Sequence, residues 1–185
     1  ATQYDSTPFL EGFEWLENLE IIGLDTETNV VDSILNRQLK VISIADEEGK
    51  KIWVIAWEDI EHQEWKDLLL RELSDKLCII QNVSFDYSMF AKYGRKLEKV
   101  WDTYLAEQVL TNGLSSERGF HGLQGIMKRR FDIDISKAEQ LSFGEGPYND
   151  NQIKYAAIDV LKLGALRNIQ ISEMRAVDKR IDQAG

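Results

Sequence analysis

The order of hydrophobic and polar residues predicts five strands, because short runs rich in Val, Ile and Trp are separated by turns and charged stretches. The second and third runs flank a turn at residues 46–49 that ends in glycine, which predicts an antiparallel hairpin. The predicted strands are residues 21–26, 40–45, 51–56, 77–80 and 99–101.

Helices are predicted where apolar residues recur every three or four positions and charges fill the opposite face. Thr7 is placed to cap the first helix, with Pro8 at its first position, and this helix ends near residue 18. Asn149 or Asp150 can cap the last helix, which extends to about residue 181. The other predicted helices are residues 62–75, a segment from about residue 84, 103–111 and 122–131. Residues 113–122 are expected to form a mobile loop, and residues 132–148 an irregular segment.

Three strands come first, and helices then alternate with strands. This order indicates an α/β fold in which a mixed sheet is covered by helices. A chain of 185 residues is of ordinary size for one domain and can bury a substantial core. We therefore expect a single domain over residues 1–185.

The composition is that of an ordinary soluble protein, with 43% hydrophobic and 29% charged residues. No apolar run approaches the roughly 20 residues of a membrane helix, and the first residues lack the features of a signal peptide. Cys78 is the only cysteine, so no internal disulfide can form and a reducing, cytoplasmic location is expected. With one cysteine and two histidines, a structural zinc site is not expected.

The net charge limits how the chain could bind nucleic acid. It has 22 basic and 32 acidic residues and a net charge of −10, which argues against a sequence-independent DNA- or RNA-binding surface. The charge does not exclude an enzyme that contacts only a few nucleotides and obtains its positive charge from metal ions.

Two carboxylates follow the first apolar run, separated by one residue. Successive side chains in a strand point to opposite faces, so Asp25 and Glu27 lie on the same face. Their like charges repel each other, and a hard divalent cation such as Mg²⁺ would turn this repulsion into coordination. Two acids that simply solvate the end of a strand would give the same pattern. Carboxylates elsewhere in the chain are needed to distinguish these interpretations.

Two later segments contain candidate partners for this pair. Asp86 is in the first turn of a helix that follows a strand, where a carboxylate points towards the strand ends that bind ligands in α/β sheets. Stabilisation of the helix dipole would explain Asp86 equally well. Tyr155 and Asp159 are four residues apart and share one face of the last helix. That spacing alone is weak, because the chain has six tyrosines and 32 acidic residues.

Together, the three segments resemble the DEDD superfamily of 3′–5′ exonucleases. The motifs are Asp-x-Glu from Asp25, Asn-x-x-Phe-Asp ending at Asp86, and Tyr-x-x-x-Asp ending at Asp159. The tyrosine is typical of the DEDDy subgroup, because the sister subgroup has histidine one position earlier, where this chain has Lys154. The resemblance covers residues 8–166 and is closest to the proofreading exonuclease domain of family A, DNA polymerase I-like polymerases.

This resemblance implies a ribonuclease H-like fold with a five-stranded mixed sheet, and two divalent metal ions, Mg²⁺ or Mn²⁺. It implies that Tyr155 orients the attacking water. The implied metal ligands, which with Tyr155 form the catalytic set, are Asp25, Glu27, Asp86 and Asp159. The residues implied to bind the terminal nucleotide are Thr26, Thr28, Val31, Asn82 and Phe85. Val31 is smaller than the apolar residue usual at its position in the family.

The chemistry of such a site agrees with the residue types, because two metal ions need several carboxylates and no conventional general base. We expect a metal-dependent exonuclease that releases nucleoside 5′-monophosphates from 3′ ends of single-stranded or frayed DNA, in proofreading. A DNA polymerase in cis or in trans is a possible partner, and no membrane partner is expected. Ribonuclease D-like trimming of RNA and a catalytically silent docking module remain alternatives.

Other conspicuous residues have simpler explanations. The basic run at residues 128–130 is interpreted as a solvated helix end rather than a substrate contact. Asp102 could support the site or cap the helix that follows it, and His121 is interpreted as incidental. Strand and helix spacing places four tryptophans in the core, namely Trp53, Trp57, Trp65 and Trp101.

Overall fold

The computed structural model describes residues 7–31, 33–111, 119–135 and 143–184. Residues 112–118, which include the first part of the predicted loop, and residues 136–142 of the predicted irregular segment lie outside the described residues. Within the described ranges, five strands form one sheet: β1 Ile21–Thr28, β2 Leu39–Asp46, β3 Ile52–Ala56, β4 Leu77–Ile80 and β5 Lys99–Asp102. The α-helices are α1 Thr7–Glu17, α2 Gln63–Asp75, α3 Val83–Lys92, α4 Thr103–Leu110, α5 Leu123–Phe131, α6 Asp150–Leu161 and α7 Leu163–Ala184. Two short 3₁₀ turns are Ile34–Asn36 and Trp57–Asp59.

The sheet is mixed, with strand order β3-β2-β1-β4-β5. The predicted hairpin is present, since β2 and β3 pair antiparallel, and β1 also runs antiparallel to β2. On its other side β1 runs parallel to β4, and β4 runs parallel to β5. Each parallel connection is made through a helix, as parallel strands require. The predicted α/β fold with a five-stranded mixed sheet is confirmed.

Helices cover both faces of the sheet. One face packs on α1, α2 and α3, where Ile22 and Leu24 of β1 are fully buried. The opposite face packs on α5, α6 and the start of α7. Side chains alternate along a strand, so the residues at positions 23, 25 and 27 of β1 point towards α6. This alternation places Asp25 and Glu27 on the α6 face.

The predicted last helix is in fact two helices, α6 and α7, which are separated at Lys162. At this break the chain passes close to the turn between β2 and β3. A Cβ atom on Gly164 would overlap the backbone carbonyl of Glu47, so glycine is required for this contact. The uninterrupted helix predicted for residues 150–181 is therefore wrong in this detail, because the backbone at Gly164 packs against the turn between β2 and β3.

The interpretation of the basic run as a solvated helix end is correct for Lys128 and wrong for its two neighbours. Lys128 pairs with exposed aspartates at the end of α5. Arg129 and Arg130 instead bind Glu107, whose side chain is fully buried in α4. Arg130 also pairs with Glu173 of α7 at 2.5 Å. These arginines therefore join α5 to α4 and α7.

The four tryptophans pack against the hydrophobic clusters as predicted. Cys78 lies in β4 with no exposed surface, and burial raises the pKa of its thiol to about 12. Among the described helices, none is long and apolar enough to cross a lipid bilayer.

Candidate active site

The site begins where β1 loses one of its two neighbours. β4 pairs with β1 from Ile21 to Gly23, whereas β2 continues to pair with β1 as far as Thr28. The carboxyl half of β1 therefore borders a cleft on the β4 side, at the point where the sheet changes from antiparallel to parallel. Ligands bind at such positions in α/β sheets.

Close packing of α6 on β1 brings the third acid to this cleft. A Cβ atom on Gly23 would lie only 3.1 Å from the backbone carbonyl of Val160, so a larger residue would push the helix away. Asp159 precedes Val160 and faces the strand. Ligand oxygens of Asp25, Glu27 and Asp159 all lie within 4.8 Å of one another. Glu27 and Asp159 are buried, and Asp25 is partly exposed to the cleft.

Asp86 approaches from the first turn of α3 and does not belong to this group of three. Its Oδ1 atom accepts a hydrogen bond of 2.6 Å from the hydroxyl of Thr26. Thr26 points to the opposite face of β1 from its two acidic neighbours, which explains why Asp86 is displaced from them. Its negative charge nevertheless acts on Asp25 more strongly than that of the other carboxylates. Asp86 is therefore a fourth acid beside Asp25.

All four carboxyl groups bind protons more tightly than usual. Desolvation by the surrounding protein is the main cause, and with the charges of Asp86, Asp159 and Glu27 it raises the pKa of Asp25 well above its ordinary range. Burial and neighbouring charges raise the pKa of Glu27 to about 8. Burial raises the pKa of Asp86 and of Asp159 to about 7, although each accepts a hydrogen bond that opposes the shift.

Tyr155 connects the hydrophobic core to the carboxylates. Its ring packs in the cluster between α6 and α5, with the ring of Phe143 at 6.4 Å. Its hydroxyl is hydrogen-bonded to the carboxylate of Asp159, one helical turn further on. Burial and the nearby negative charges raise the pKa of this phenol further, so the hydroxyl stays protonated. A side chain that only filled the core would have its hydroxyl in solvent, which is not the arrangement observed.

Asp102 fixes the start of α3 as well as capping α4. Its carboxylate accepts hydrogen bonds from the backbone N–H groups of Asn82 and Val83, both at 3.1 Å. It also accepts bonds from the first N–H groups of α4. Asn82 has a left-handed backbone with φ 63°, a conformation that asparagine tolerates. Both explanations considered for Asp102 therefore hold, and the turn that carries Asn82 is held from β5.

The four acids and Tyr155 line a cavity of about 500 Å³. Besides the four acids and Tyr155, four of the five residues expected to bind the nucleotide line it, namely Thr26, Thr28, Asn82 and Phe85. The fifth, Val31, is not among the lining residues, and its neighbour Val30 takes that position. Val30 is 61% exposed, so an apolar side chain is available at the cavity mouth one residue earlier than expected.

Several lining residues were missed in the sequence. Arg37 precedes β2 and is the cationic side chain among the cavity-lining residues. Tyr104 and Gln81 also line the cavity, and Gln81 donates a hydrogen bond to the backbone carbonyl of His121 at 2.9 Å. This bond ties the turn before α5 to the cavity wall and does not involve the imidazole ring of His121. No motif marks Arg37 or Tyr104, because each reaches the cavity only through folding, whereas Gln81 directly precedes the motif that ends at Asp86.

The acidic group fits a divalent cation. It supplies hard oxygen donors at mutual distances that one ion could span. Within the described ranges no lysine or arginine forms an ion pair with any of the four carboxylates. Such a group is costly to bury unless external positive charge compensates it. The raised pKa values of the four carboxyl groups result from this cost of burying negative charge.

Comparison with known proteins supports the same interpretation. The sequence matches the family model of a 3′–5′ exonuclease over residues 3–172, whereas no curated protein matches the chain. An apo-form nuclease structure is 28% identical, with a TM-score of 0.75 over 94% of this chain and 81% of the other. Brucella melitensis NrnC is 25% identical, with a TM-score of 0.72 over 91% and 79% of the two chains. NrnC has also been solved with bound Mg²⁺ and with bound pGG.

A third structure, Escherichia coli RNase D, is 21% identical with a TM-score of 0.71, and the match covers 95% of this chain but 44% of that enzyme. It supports the fold alone. The family match and the 28% identical nuclease confirm the expected ribonuclease H-like fold. The family match and the oxygen-donor cluster confirm the expected divalent-cation cofactor. Because the family match extends over nearly the whole sequence, this chain belongs to the 3′–5′ exonuclease family of phosphodiester hydrolases.

Proposed function

We propose that this chain removes nucleoside 5′-monophosphates from the 3′ ends of single-stranded or frayed DNA, in proofreading. The observation that carries the proposal is the group of Asp25, Glu27 and Asp159 within 4.8 Å in the cavity, beside the hydroxyl of Tyr155. A cavity of about 500 Å³ can accept a terminal nucleotide at the acidic group. We propose that this nucleotide leaves its complementary strand before it is cut.

Asp25, Glu27 and Asp159 would hold one divalent ion, and Asp86 with Asp25 would contribute to a second. Such ions, Mg²⁺ or Mn²⁺, would neutralise charge on the phosphate and make a water molecule a better nucleophile. Thr26 donates its hydroxyl hydrogen to Asp86 and so fixes the orientation of that carboxylate. The remaining steps depend on how the chain's own groups hold the nucleophile and the strand.

Tyr155 is proposed to position the nucleophile rather than to accept its proton. Because its pKa is raised, the phenol is a poor general base and a persistent hydrogen-bond donor or acceptor. Its ring is fixed by core packing, so the hydroxyl is held rigidly near the carboxylates. Pre-organisation of this kind accelerates reaction by restricting the geometry of attack.

The terminal nucleotide is proposed to lie between β1 and the start of α3. Thr26, Thr28, Asn82 and Phe85 line this part of the cavity, and Val30 or Val31 would supply the apolar contact with the last base. Since Asp102 holds the backbone at Asn82, this wall would stay in place when the strand enters. We further propose a cytoplasmic enzyme in which residues 1–185 act as one domain, with a DNA polymerase as its partner in cis or in trans.

A second candidate function is trimming of RNA, and one observation favours it. NrnC, at 25% identity over most of both chains, has been solved with pGG bound. The net charge of −10 disfavours unaided capture of long RNA, so a short substrate would fit this alternative better.

Digestion of matched DNA and RNA oligonucleotides, labelled at either the 3′ or the 5′ end, tests the proposal with Mg²⁺ or Mn²⁺ present. Release of labelled mononucleotide from the 3′ end of DNA is expected, faster from mismatched than from paired termini because fraying a mismatch costs less. Equal rates on paired and mismatched ends would leave proofreading without support. Faster cutting of RNA, including short RNA, would favour the second candidate. A folded protein that binds metal and cuts neither polymer would be a docking module.

A further inference from the structure

Among the described residues that line the cavity, one cationic side chain accompanies four acids. Asp25, Glu27, Asp86 and Asp159 lie in the cavity wall, and Arg37 is the only lysine or arginine among the described residues that line it. An arginine beside unpaired carboxylates would be expected to bind them. Arg37 does not, because no ion pair links it to any acid within the described ranges.

The backbone at Arg37 is fixed at the cavity mouth. The residue follows the 3₁₀ turn Ile34–Asn36, and the ammonium group of Lys92 donates hydrogen bonds to the backbone carbonyls of Leu35 and Arg37. The next residue, Gln38, donates its N–H to the side chain of Asn29 at 2.6 Å. Both sides of the β1–β2 connection are therefore tied to the protein, and the position of Arg37 does not depend on its own side chain.

The side chain of Arg37 is oriented by Phe85. The guanidinium carbon lies 5.4 Å from the centre of the Phe85 ring, within cation–π range. Its Nε atom is buried and has no hydrogen-bond partner among the described residues. A buried donor without a partner costs free energy unless a ligand satisfies it. By contrast, Arg129 and Arg130 are fully engaged with Glu107 and Glu173.

We infer that Arg37 binds a non-scissile phosphate of the substrate strand, on the 5′ side of the bond that is cut. This inference rests on the proposed function. The scissile phosphate must lie at the acidic group, where bound cations compensate its charge. In a 3′–5′ exonuclease every other internucleotide phosphate lies on the 5′ side. Guanidinium is the group best suited to bind phosphate in two-point geometry, and Arg37 lines the same cavity as the acids.

A phosphate contact at Arg37 would allow the acidic chain to hold a negatively charged strand. The bound cations would act on one phosphate only, and Arg37 would supply the charge for the next. A strand that lacks this second phosphate would be held less tightly. The contact would also set the direction of the strand, since it lies on one side of the reacting bond.

The test is a double-mutant-type cycle. It compares kcat/KM of the parent protein and of Arg37→Met on the normal strand and on strands in which one linkage is made neutral. Single-stranded oligonucleotides carry a methylphosphonate at the first, second or third linkage on the 5′ side of the scissile bond. For the parent protein, one of these substitutions should lower kcat/KM by roughly ten- to a hundredfold, as expected for a hydrogen bond to a charged group. Arg37→Met should lower kcat/KM on the normal strand by a similar factor and show no further loss with that neutral linkage.

Two controls separate binding from a structural effect. Arg71→Ala removes an exposed arginine of α2 outside the cavity. It should leave kcat/KM on the normal strand and the loss caused by each neutral linkage unchanged. Arg37→Lys keeps the charge and should recover part of the lost kcat/KM. The slope of log kcat/KM against log salt should become shallower by about 0.7 in Arg37→Met, the value for one phosphate of a single strand.

The inference would be overturned if, at all three linkage positions, the loss of kcat/KM from Arg37→Met multiplied with the loss from the neutral linkage. The arginine and the phosphates would then act independently. An unchanged salt slope would overturn it as well. These results leave the proposed function intact, since the parent protein would still cut the normal strand. A parent protein that cuts no oligonucleotide would instead overturn the proposed function itself.

Discussion

Carboxylates are buried at two places in this protein, and the protein treats them in opposite ways. Glu107 of α4 has no exposed surface, and it accepts hydrogen bonds from Arg129, Arg130 and Gln170. The acids of the cavity are also largely buried, but within the described ranges none of them has a lysine or arginine partner. One group is neutralised by the fold, and the other is left with uncompensated charge.

The pKa values show what this difference means. Burial alone would raise the pKa of Glu107, but hydrogen bonds from Arg130, Gln170 and Arg129 outweigh it and bring the pKa below the ordinary value. In the cavity, burial and mutual repulsion act in the same direction, and the pKa of Glu27 rises to about 8. A protein that can satisfy a buried acid with its own arginines, and does so at Glu107, leaves the cavity acids for an external cation.

The largest contrast is expected from Asp159→Ala. Turnover should fall by more than about a thousandfold, beyond the loss of a single stabilising contact, because the change removes a proposed metal ligand. Without metal, the variant should be at least as stable as the parent, since a repulsion between like charges is relieved. Single-turnover rates at saturating metal and thermal melting in chelator measure the two effects. A variant that unfolds outright would assign Asp159 a structural role.

The opposite behaviour is expected from Glu107→Ala. Removing the acid deprives Arg129 of its carboxylate partner and leaves Arg130 with Glu173 alone, and breaking a largely buried pair of this kind costs about 3–5 kcal/mol of unfolding free energy. Activity per folded molecule should change little. Denaturant unfolding measures the loss, and Glu173→Ala is the control, because Glu173 contacts the same Arg130 with 43% of its side chain exposed. Exposed pairs contribute about 0–1 kcal/mol, so equal losses from both variants would contradict the comparison.

Tyr155→Phe should give a smaller effect on turnover than Asp159→Ala. The ring and its packing are kept and one oxygen is lost, so turnover should fall by roughly ten- to a thousandfold, as expected for one positioning contact. Metal binding and single-strand affinity should be almost unchanged. In the parent protein, the hydrogen bond from Tyr155 lowers the pKa of Asp159. The pKa of Asp159 should therefore rise further when Tyr155→Phe removes this bond. Single-turnover kinetics at saturating metal decide the point, and a variant as fast as the parent would remove the proposed role.

The smallest expected effect is on the pH dependence of stability without metal. Folding raises the pKa of Glu27 to about 8 and those of Asp86 and Asp159 to about 7, from ordinary values of about 4. The folded state therefore binds more protons than the unfolded state in this window, so metal-free stability should fall as the pH rises from about 4 to about 8.

Added Mg²⁺ should restore stability most strongly at the upper end of this range, because it binds the folded, deprotonated site. Melting temperatures in chelator and in Mg²⁺ across pH 5–8.5 measure both trends. Excess chelator should also abolish nuclease activity. Metal-free stability that rises with pH over this window would contradict the description of the cavity acids.

Much of the fold could be predicted because it depends on local pattern. The five strands lie within two residues of their predicted bounds, and the alternation of side chains along β1 correctly puts Asp25 and Glu27 on one face. The four-residue spacing of Tyr155 and Asp159 likewise gives their contact on α6. These features follow from backbone geometry over one or two turns, which a sequence displays directly.

Other features depend on residues that are distant along the chain. Asp86 is held by the hydroxyl of Thr26, 60 positions away, and is thereby kept out of the group of three acids. The break between α6 and α7 arises where Gly164 meets the β2–β3 turn. Neither contact leaves a periodic pattern, so the sequence predicted one acidic group and one helix.

The sequence by itself determined the α/β class, the strand that carries two acids and the family resemblance, because spacing and hydrophobic period act locally. Only the tertiary structure decided which charges are compensated. Arg129 and Arg130 look like a solvated basic run, yet they neutralise Glu107, 22 and 23 positions away. Arg37 lies in no motif, yet it is the one lysine or arginine among the described residues that line the acidic cavity. Charge compensation depends on distance in space and on burial, and both are set only when remote elements pack together.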